Sequence, residues 1–219
     1  MTLISKLKTG LLNPKKALIY FILGPKKYLA LQAIIKGIEA EIKPKTILEE
    51  HMLKLTDINE HLITLYMLTI EKKLRTIVEL GTRTGESTIA LLEAAKLIDG
   101  HVHSIDIDQC LEANEKIKNH GLHKYWTFIQ EDDLKVKWNK QIDHLFIDTT
   151  HTFNQTLKEL QKYEPYVNHG GMITLHDIIS YPDTLKAINK YIKNKKNLIL
   201  YKYFNCNGLA IIFKRDVHT

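Results

Sequence analysis

From residue 74 onward, short apolar runs alternate with segments whose apolar positions recur every three or four residues. Strands are predicted at residues 75–80, 102–107, 125–129, 142–148 and 171–175. Helices are predicted between or after them at 87–96, 111–118, 155–166 and 184–192. Two β-rich runs, 198–204 and 209–213, close the chain, and Asn205-Cys206-Asn207-Gly208 between them suits an antiparallel hairpin. Residues 57–72 read as one helix, with Ile58, Leu62, Leu65 and Leu68 as its apolar stripe and Asp57 and Glu60 at capping-box spacing. The alternation predicts an α/β fold, a mostly parallel sheet with helices on both faces. In such sheets ligands bind beyond the carboxyl ends of the strands.

Residues 1–55 have a different character and are expected to form a basic helical segment ahead of a domain at 56–219. Asn13-Pro14 has the form of a helix start. The apolar run 17–23 is too short for the ~20 residues of a membrane span, and no cleavage site of a secretory signal follows it. After Gly24-Pro25, a second helix carries Leu31, Ile34, Ile35, Ile38 and Ile42 at helical spacing, with Lys27, Lys36 and Lys43 interleaved. Two readings stay open. The helices dock on the domain or on a second subunit, or their basic face lies on anionic lipid headgroups as a peripheral membrane contact.

Charge sharpens this division. The net charge is +6, and residues 1–45 hold nine lysines against Glu39 and Glu41, so the remainder is near neutral. A body without basic excess speaks against nucleic acid as a partner. Cys110 and Cys206 have neither zinc-site nor disulfide-framework spacing, which fits a cytoplasmic protein.

Five stretches at strand ends carry candidate chemistry. The first is Val78-Glu79-Leu80-Gly81-Thr82-Arg83-Thr84-Gly85-Glu86-Ser87-Thr88, between a strand and a helix. Glycines let the backbone turn tightly and a ligand approach, and the helix start behind them can receive a carboxylate. Glu79 can answer an amine or bond within the loop. Arg83 can touch an acceptor or face solvent. The spacing E-x-G-x-x-x-G-x-S lacks the middle glycine of a dinucleotide fingerprint, which disfavours a nicotinamide-dependent oxidoreductase. The second is Ser104-Ile105-Asp106-Ile107-Asp108, where Asp106 can accept two ribose hydroxyls and Asp108 suits a helix cap. The third is Gln130-Glu131-Asp132-Asp133, where Asp132 can accept from an adenine amino group or be a solvated loop acid. The fourth and fifth are Phe146-Ile147-Asp148-Thr149-Thr150-His151 and Gly170-Gly171-Met172-Ile173-Thr174-Leu175-His176-Asp177. Two carboxylates and two imidazoles there suggest a general base, a metal site, or both.

With these stretches in order, residues 56–214 resemble the class I S-adenosylmethionine-dependent methyltransferases. More narrowly, they are similar to a small O-methyltransferase-like group related to macrolide-sugar O-methyltransferases and cephalosporin-hydroxylase-like proteins. Asn207-Gly208-Leu209-Ala210 looks like the start of that group's last strand. The resemblance implies a seven-stranded Rossmann-like sheet in order 3-2-1-4-5-7-6, strand 7 antiparallel. It implies that Glu79, Gly81 and Ser87, with Thr82 and Gly85 of the same loop, hold the methionine end of S-adenosylmethionine. Asp106 would hold the ribose and Asp132 the adenine. Metal-dependent relatives bind magnesium through Asp148 and an acidic pair after strand five. Here that pair is His176-Asp177, so a set of Asp148, His176 and Asp177 suits manganese better than magnesium.

The implied reaction is methylation of a hydroxyl, with His151, Asp148 and His176 as the catalytic groups. Imidazoles titrate near neutral pH, so His151 or His176 can serve as base without a metal. The expected acceptor is a sugar or lipid-linked glycan, making the protein a glycan-modifying enzyme; a phenol or another secondary metabolite is the alternative. A non-catalytic S-adenosylmethionine-binding protein is the rival from another class. No N-P-P-Y-like motif follows strand four, which speaks against base methylation of RNA.

Overall fold

The computed structural model describes residues 44–216. The two basic helices expected ahead of residue 44 lie outside the described residues. The first described helix, α1 (Ile47–Leu53), opens with a capping box: Thr46 Oγ1 accepts from Glu49 N at 3.1 Å, and Glu49 Oε2 accepts from Thr46 N at 3.3 Å. Helix α2 (Asn59–Glu71) begins at an Ile58 cap without a side-chain hydrogen bond. The box expected of Asp57 and Glu60 does not form. Tertiary partners take both carboxylates: Asp57 pairs with Arg83 at 3.0 Å, and Glu60 accepts from Asn205 Nδ2 at 2.6 Å.

The other elements follow the predicted alternation: β1 (Thr76–Leu80), α3 (Glu86–Ile98), β2 (His101–Asp106), α4 (Leu111–Asn119), β3 (Trp126–Gln130), β4 (Ile142–Ile147), α5 (Phe153–Tyr163), β5 (Val167–His176), α6 (Pro182–Ile192), β6 (Leu198–Tyr203) and β7 (Leu209–Lys214). Helix α5 ends three residues early because Pro165, which has no N–H to donate, turns the chain into a 3-10 turn at Glu164–Tyr166. Strand β5 starts at Val167, earlier than its apolar run suggests, through Gly170-Gly171.

The seven strands lie in order β3-β2-β1-β4-β5-β7-β6. Strands β1 to β5 pair in parallel, and β7 runs antiparallel between β5 and β6. Order and direction match the expectation. The central strands are apolar on both faces because both are covered. On one face, Leu62, Leu65, Ile89 and Leu92 of α2 and α3 pack with Ile77, Phe146 and Ile211. On the other, Leu160, Tyr163 and Ile188 of α5 and α6 pack with Leu145, Ile173 and Ile212. Each such side chain contributes about 1.5–3 kcal/mol on burial. This two-sided core fixes β1, β2 and β4 so that their carboxyl ends open at the switch in strand order. Among the described residues, no helix is long and apolar enough to cross a membrane.

Candidate active site

The loop after β1 is clamped from three sides. Gly81 has φ +88°, and a Cβ there would meet the Asp148 carbonyl oxygen at 2.0 Å, so only glycine lets the loop lie against β4. Asp106 Oδ2 accepts from Thr82 N at 2.7 Å and Arg83 N at 3.1 Å. Its Oδ1 accepts from Asp108 N at 2.9 Å. Burial would raise the Asp106 carboxyl, but these backbone donors win and hold it below the ordinary range. Asp108 does not cap α4; that position falls to Cys110 in a left-handed conformation, φ +46°. Glu79 is buried beneath the loop and accepts from Ser87, Thr88 and Ser104 at 2.8, 2.8 and 2.6 Å. Burial pushes its carboxyl up to about 7 despite those donors. Of the two roles open to Glu79, the geometry supplies bonding within the loop, which braces the first turn of α3.

Two cavities meet over this loop. One, of about 380 Å³, lies between Asp106, Ile107, Asp132, Thr149 and Gln155. The other, of about 460 Å³, lies between Thr56, Asp57, Thr82, Thr84 and Ser87. Gly81 lines the first, and Arg83 and Asp148 line both. The Thr56 and Thr82 hydroxyls are buried with no hydrogen-bond partner among the described residues. Buried polar groups are ordinarily satisfied, so these two hydroxyls stand out beside the second cavity. Arg83 is the one cation lining either cavity among the described residues; every other ionisable lining side chain is a carboxylate. Arg83 itself is largely exposed and paired with Asp57. The field of this groove favours a cationic ligand and repels a polyanion.

Asp148, which lines both cavities, stands against His151 and Asp177. His151 Nε2 lies 2.9 Å from Asp148 Oδ1 and 3.2 Å from Asp177 Oδ2. Both histidine and Asp177 sit in left-handed backbone, φ +57° and +62°, which turns their side chains to one point. Tyr181 stacks flat on the imidazole, centroids 4.5 Å apart at 14°. Ionised carboxylates only accept, so Nε2 carries the hydrogen and Nδ1 is the basic atom of the neutral ring. Burial would raise the Asp148 carboxyl, but hydrogen bonds from His151 and His176 hold it down at about 2. Asp177 is raised by burial, and its Oδ1 is buried without a partner among the described residues.

His176 lies behind this group. Its Nδ1 is 3.5 Å from Asp148 Oδ1 and 3.8 Å from Asp177 Oδ2, and Nε2 donates to the Cys206 carbonyl at 3.2 Å. At 1% exposure it cannot reach an acceptor. The donor atoms that converge, all within 4.8 Å of one another, belong to Asp148, His151 and Asp177. His176, expected from the sequence beside Asp148 and Asp177, faces the same two carboxylates through Nδ1 but stands farther from them than His151. Its Nε2 is taken by the hairpin carbonyl.

Residues 78–178 match the model of a methyltransferase-domain family. Over that span the chain is similar to a methyltransferase domain. Its fold recurs in a Klebsiella pneumoniae protein assigned as an O-methyltransferase, with TM-score 0.66 and 16% identity over 82% of this chain and 94% of that one. It also recurs in the O-methyltransferase TomG of Streptomyces achromogenes, solved with S-adenosylmethionine (TM-score 0.64, 13% identity, 83% and 95% covered). An O-methyltransferase from Bacillus cereus, solved with S-adenosylhomocysteine, gives TM-score 0.60 and 16% identity over 83% and 97%. At these identities the likeness is one of fold. No curated protein matches the chain.

Of the residues singled out in the sequence, Gly81, Asp106 and Asp132 line the first cavity, Thr82 and Ser87 the second, and Asp148 both. Gly85, φ +82°, makes the turn into α3. Asp132 lines its cavity, yet its Oδ1 accepts from Leu134 N at 2.9 Å and its Oδ2 pairs with Lys135 at 3.3 Å. Sequence reasoning missed Thr56, Gln155, Tyr181 and the hairpin carbonyls of Asn205 and Cys206. Thr152, which caps α5 through Gln155 N, was the available signal for a helix start beside the cavity. Nothing in the chain before Tyr181 announces its stacking.

Proposed function

We propose that this methyltransferase domain methylates a hydroxyl oxygen of a neutral acceptor, a sugar or a lipid-linked glycan. The observation that carries the reading is the Asp148–His151–Asp177 cluster, whose Asp148 lines both cavities. The first cavity would take the adenosine end of S-adenosylmethionine and the second the amino-acid end, with the first turn of α3 and the Thr56 and Thr82 hydroxyls facing the latter. When bound, the cofactor supplies a methyl group on a cationic sulfonium. The acidic groove favours that cation and disfavours a nucleic-acid acceptor. The nine lysines of residues 1–45 are what motivates a lipid-linked glycan.

Asp148 and Asp177 hold His151 by Nε2 and Tyr181 fixes the plane of the ring, so that Nδ1 would take the proton of the acceptor hydroxyl; bound S-adenosylmethionine would give up its methyl group to that oxygen and leave as S-adenosylhomocysteine. Orientation of this kind contributes up to ~7–11 kcal/mol, and a positioned base about 10²–10⁴-fold. The same cluster fits a divalent cation, since it offers converging ligand atoms and an unpartnered Asp177 Oδ1. Asp148, His151 and Asp177 would then hold it, and it would supply Lewis-acid activation of the acceptor hydroxyl. The mixed nitrogen and oxygen set suits manganese rather than magnesium.

The test begins with calorimetric titration of S-adenosylhomocysteine, with NAD as control. Turnover is then followed as S-adenosylhomocysteine release on a panel of neutral glycosides and phenols. His151→Ala is expected to lower turnover about 10²-fold or more while S-adenosylhomocysteine affinity stays within about threefold. Full turnover in that variant refutes the role of His151. Binding of NAD in preference to S-adenosylhomocysteine refutes the cavity assignments. Titrating EDTA-treated protein with Mn²⁺ separates the two chemistries: saturable binding lost in Asp177→Asn supports the cation, and absence of binding supports the bare base.

A further inference from the structure

We infer that Gln155, and not Asp132, reads the 6-amino group of the cofactor's adenine. The inference rests on the cavity of Asp106 and Thr149 being the adenosine site. Gln155 stands in the first turn of α5 and lines that cavity. Its Nε2 donates to Asp133 Oδ1 at 3.0 Å and to Glu159 Oε1 at 2.9 Å. Both amide hydrogens are thus committed to carboxyl groups on the protein side. A flipped amide would set its oxygen against those two acceptors, so the network fixes the orientation. The carbonyl oxygen Oε1 is left as a fixed acceptor at the cavity wall, which matches an exocyclic amine and mismatches a 6-oxo group.

The support behind Gln155 is unusually well built for a surface helix. Asp133 and Glu159 are both buried, and Thr149 Oγ1 donates to Glu159 Oε1 at 2.6 Å. Glu159 Oε2 is buried without a hydrogen-bond partner among the described residues, and the Glu159 carboxyl neighbours that of Asp133. Burial first, and the Asp133 charge next, push the Glu159 carboxyl up to about 8, so this pair holds one proton between its two carboxyls near neutral pH. The proton keeps the paired carboxyls from repelling each other and leaves both able to accept from Gln155. Asp132 has no comparable support. Its carboxylate is drawn back into its own loop by Leu134 N and Lys135.

The experiment compares binding of S-adenosylhomocysteine and S-inosylhomocysteine, which carries a 6-oxo group in place of the amine. The proteins are the wild-type chain, Gln155→Met and Asp132→Asn. The wild-type chain is expected to prefer the adenosine compound by roughly tenfold or more, as one fixed hydrogen bond allows. Gln155→Met should bring that ratio to within about threefold of unity, chiefly by weakening S-adenosylhomocysteine. Asp132→Asn should keep the wild-type ratio. Gln155→Ala replaces the Met variant if that one fails to fold. A Gln155 variant that retains the preference, an Asp132→Asn variant that loses it, or a wild-type chain without preference overturns the assignment. Failure of the wild-type chain to bind either compound instead removes the cofactor reading beneath it.

Discussion

Gly81→Ala isolates what holds the loop after β1 against the Asp148 backbone, and Gly121→Ala is its natural control. Both glycines have positive φ, +88° and +67°. An alanine in left-handed backbone costs roughly 1–2 kcal/mol at either position. At Gly121 nothing lies within 4 Å of the new Cβ, so that strain is the whole cost. At Gly81 the Cβ would fall 2.0 Å from the Asp148 carbonyl oxygen and 2.8 Å from its carbonyl carbon. Both are backbone atoms of a strand end whose Asp148 N–H is bonded to Leu80 O at 2.9 Å, so no side chain can swing away. Strand β4 must move from β1 where Asp148 begins, and the total cost should exceed about 3 kcal/mol. Urea unfolding should show Gly121→Ala losing about 1 kcal/mol with unchanged S-adenosylhomocysteine affinity. Gly81→Ala should lose at least twice that, bind S-adenosylhomocysteine at least tenfold more weakly and lose turnover, because Asp148 and the loop share one displaced contact. Equal unfolding midpoints for the two variants, or wild-type affinity in Gly81→Ala, would refute the reasoning.

Three further outcomes are expected. Burial would raise the Glu164 carboxyl, but Lys195, Lys214 and Tyr191 hold it at about 2, below its ordinary value of about 4.5. Its contribution of about 3 kcal/mol is therefore full above pH 4.5 and lost as pH falls toward 2; Glu164→Gln should flatten that part of the stability–pH profile in urea titrations, and an unchanged slope would disprove the link. Thr82→Val removes a hydroxyl with no protein partner, so stability should change by less than about 0.5 kcal/mol while S-adenosylhomocysteine binds several-fold more weakly in calorimetry. Tyr181→Leu removes the ring stacked on His151 and should lower kcat about threefold to tenfold with cofactor affinity intact; a change in affinity alone would place Tyr181 elsewhere in the reaction.

What the chain discloses by pattern is what its core requires. Strand order follows once β1 to β5 alternate with helices, and the final hairpin follows from Asn205 to Gly208, whose residues at 206–208 all adopt positive φ. Gly81 was legible for a related reason, since a tight loop at a strand end needs a glycine; Asp106 was singled out as an acceptor of ribose hydroxyls, and its bonds to Thr82, Arg83 and Asp108 N were not foreseen. The candidate catalytic group was legible only in part. Asp148, His151, His176 and Asp177 stand out in the sequence, but how His176 is set behind the carboxylates depends on the hairpin carbonyl of Cys206, thirty residues away, which takes its Nε2. A backbone acceptor has no sequence signature, so no spacing rule could have assigned it. Asp57 and Glu60 fail in the same way. Their local caps lose to Arg83 and Asn205, partners that exist only after the sheet has closed. Gln155 is the extreme case, because its role depends on which of its own atoms its neighbours leave free. Local pattern thus predicts where chemistry gathers at the strand ends, and long-range hydrogen bonding decides which atom of each residue is left to perform it.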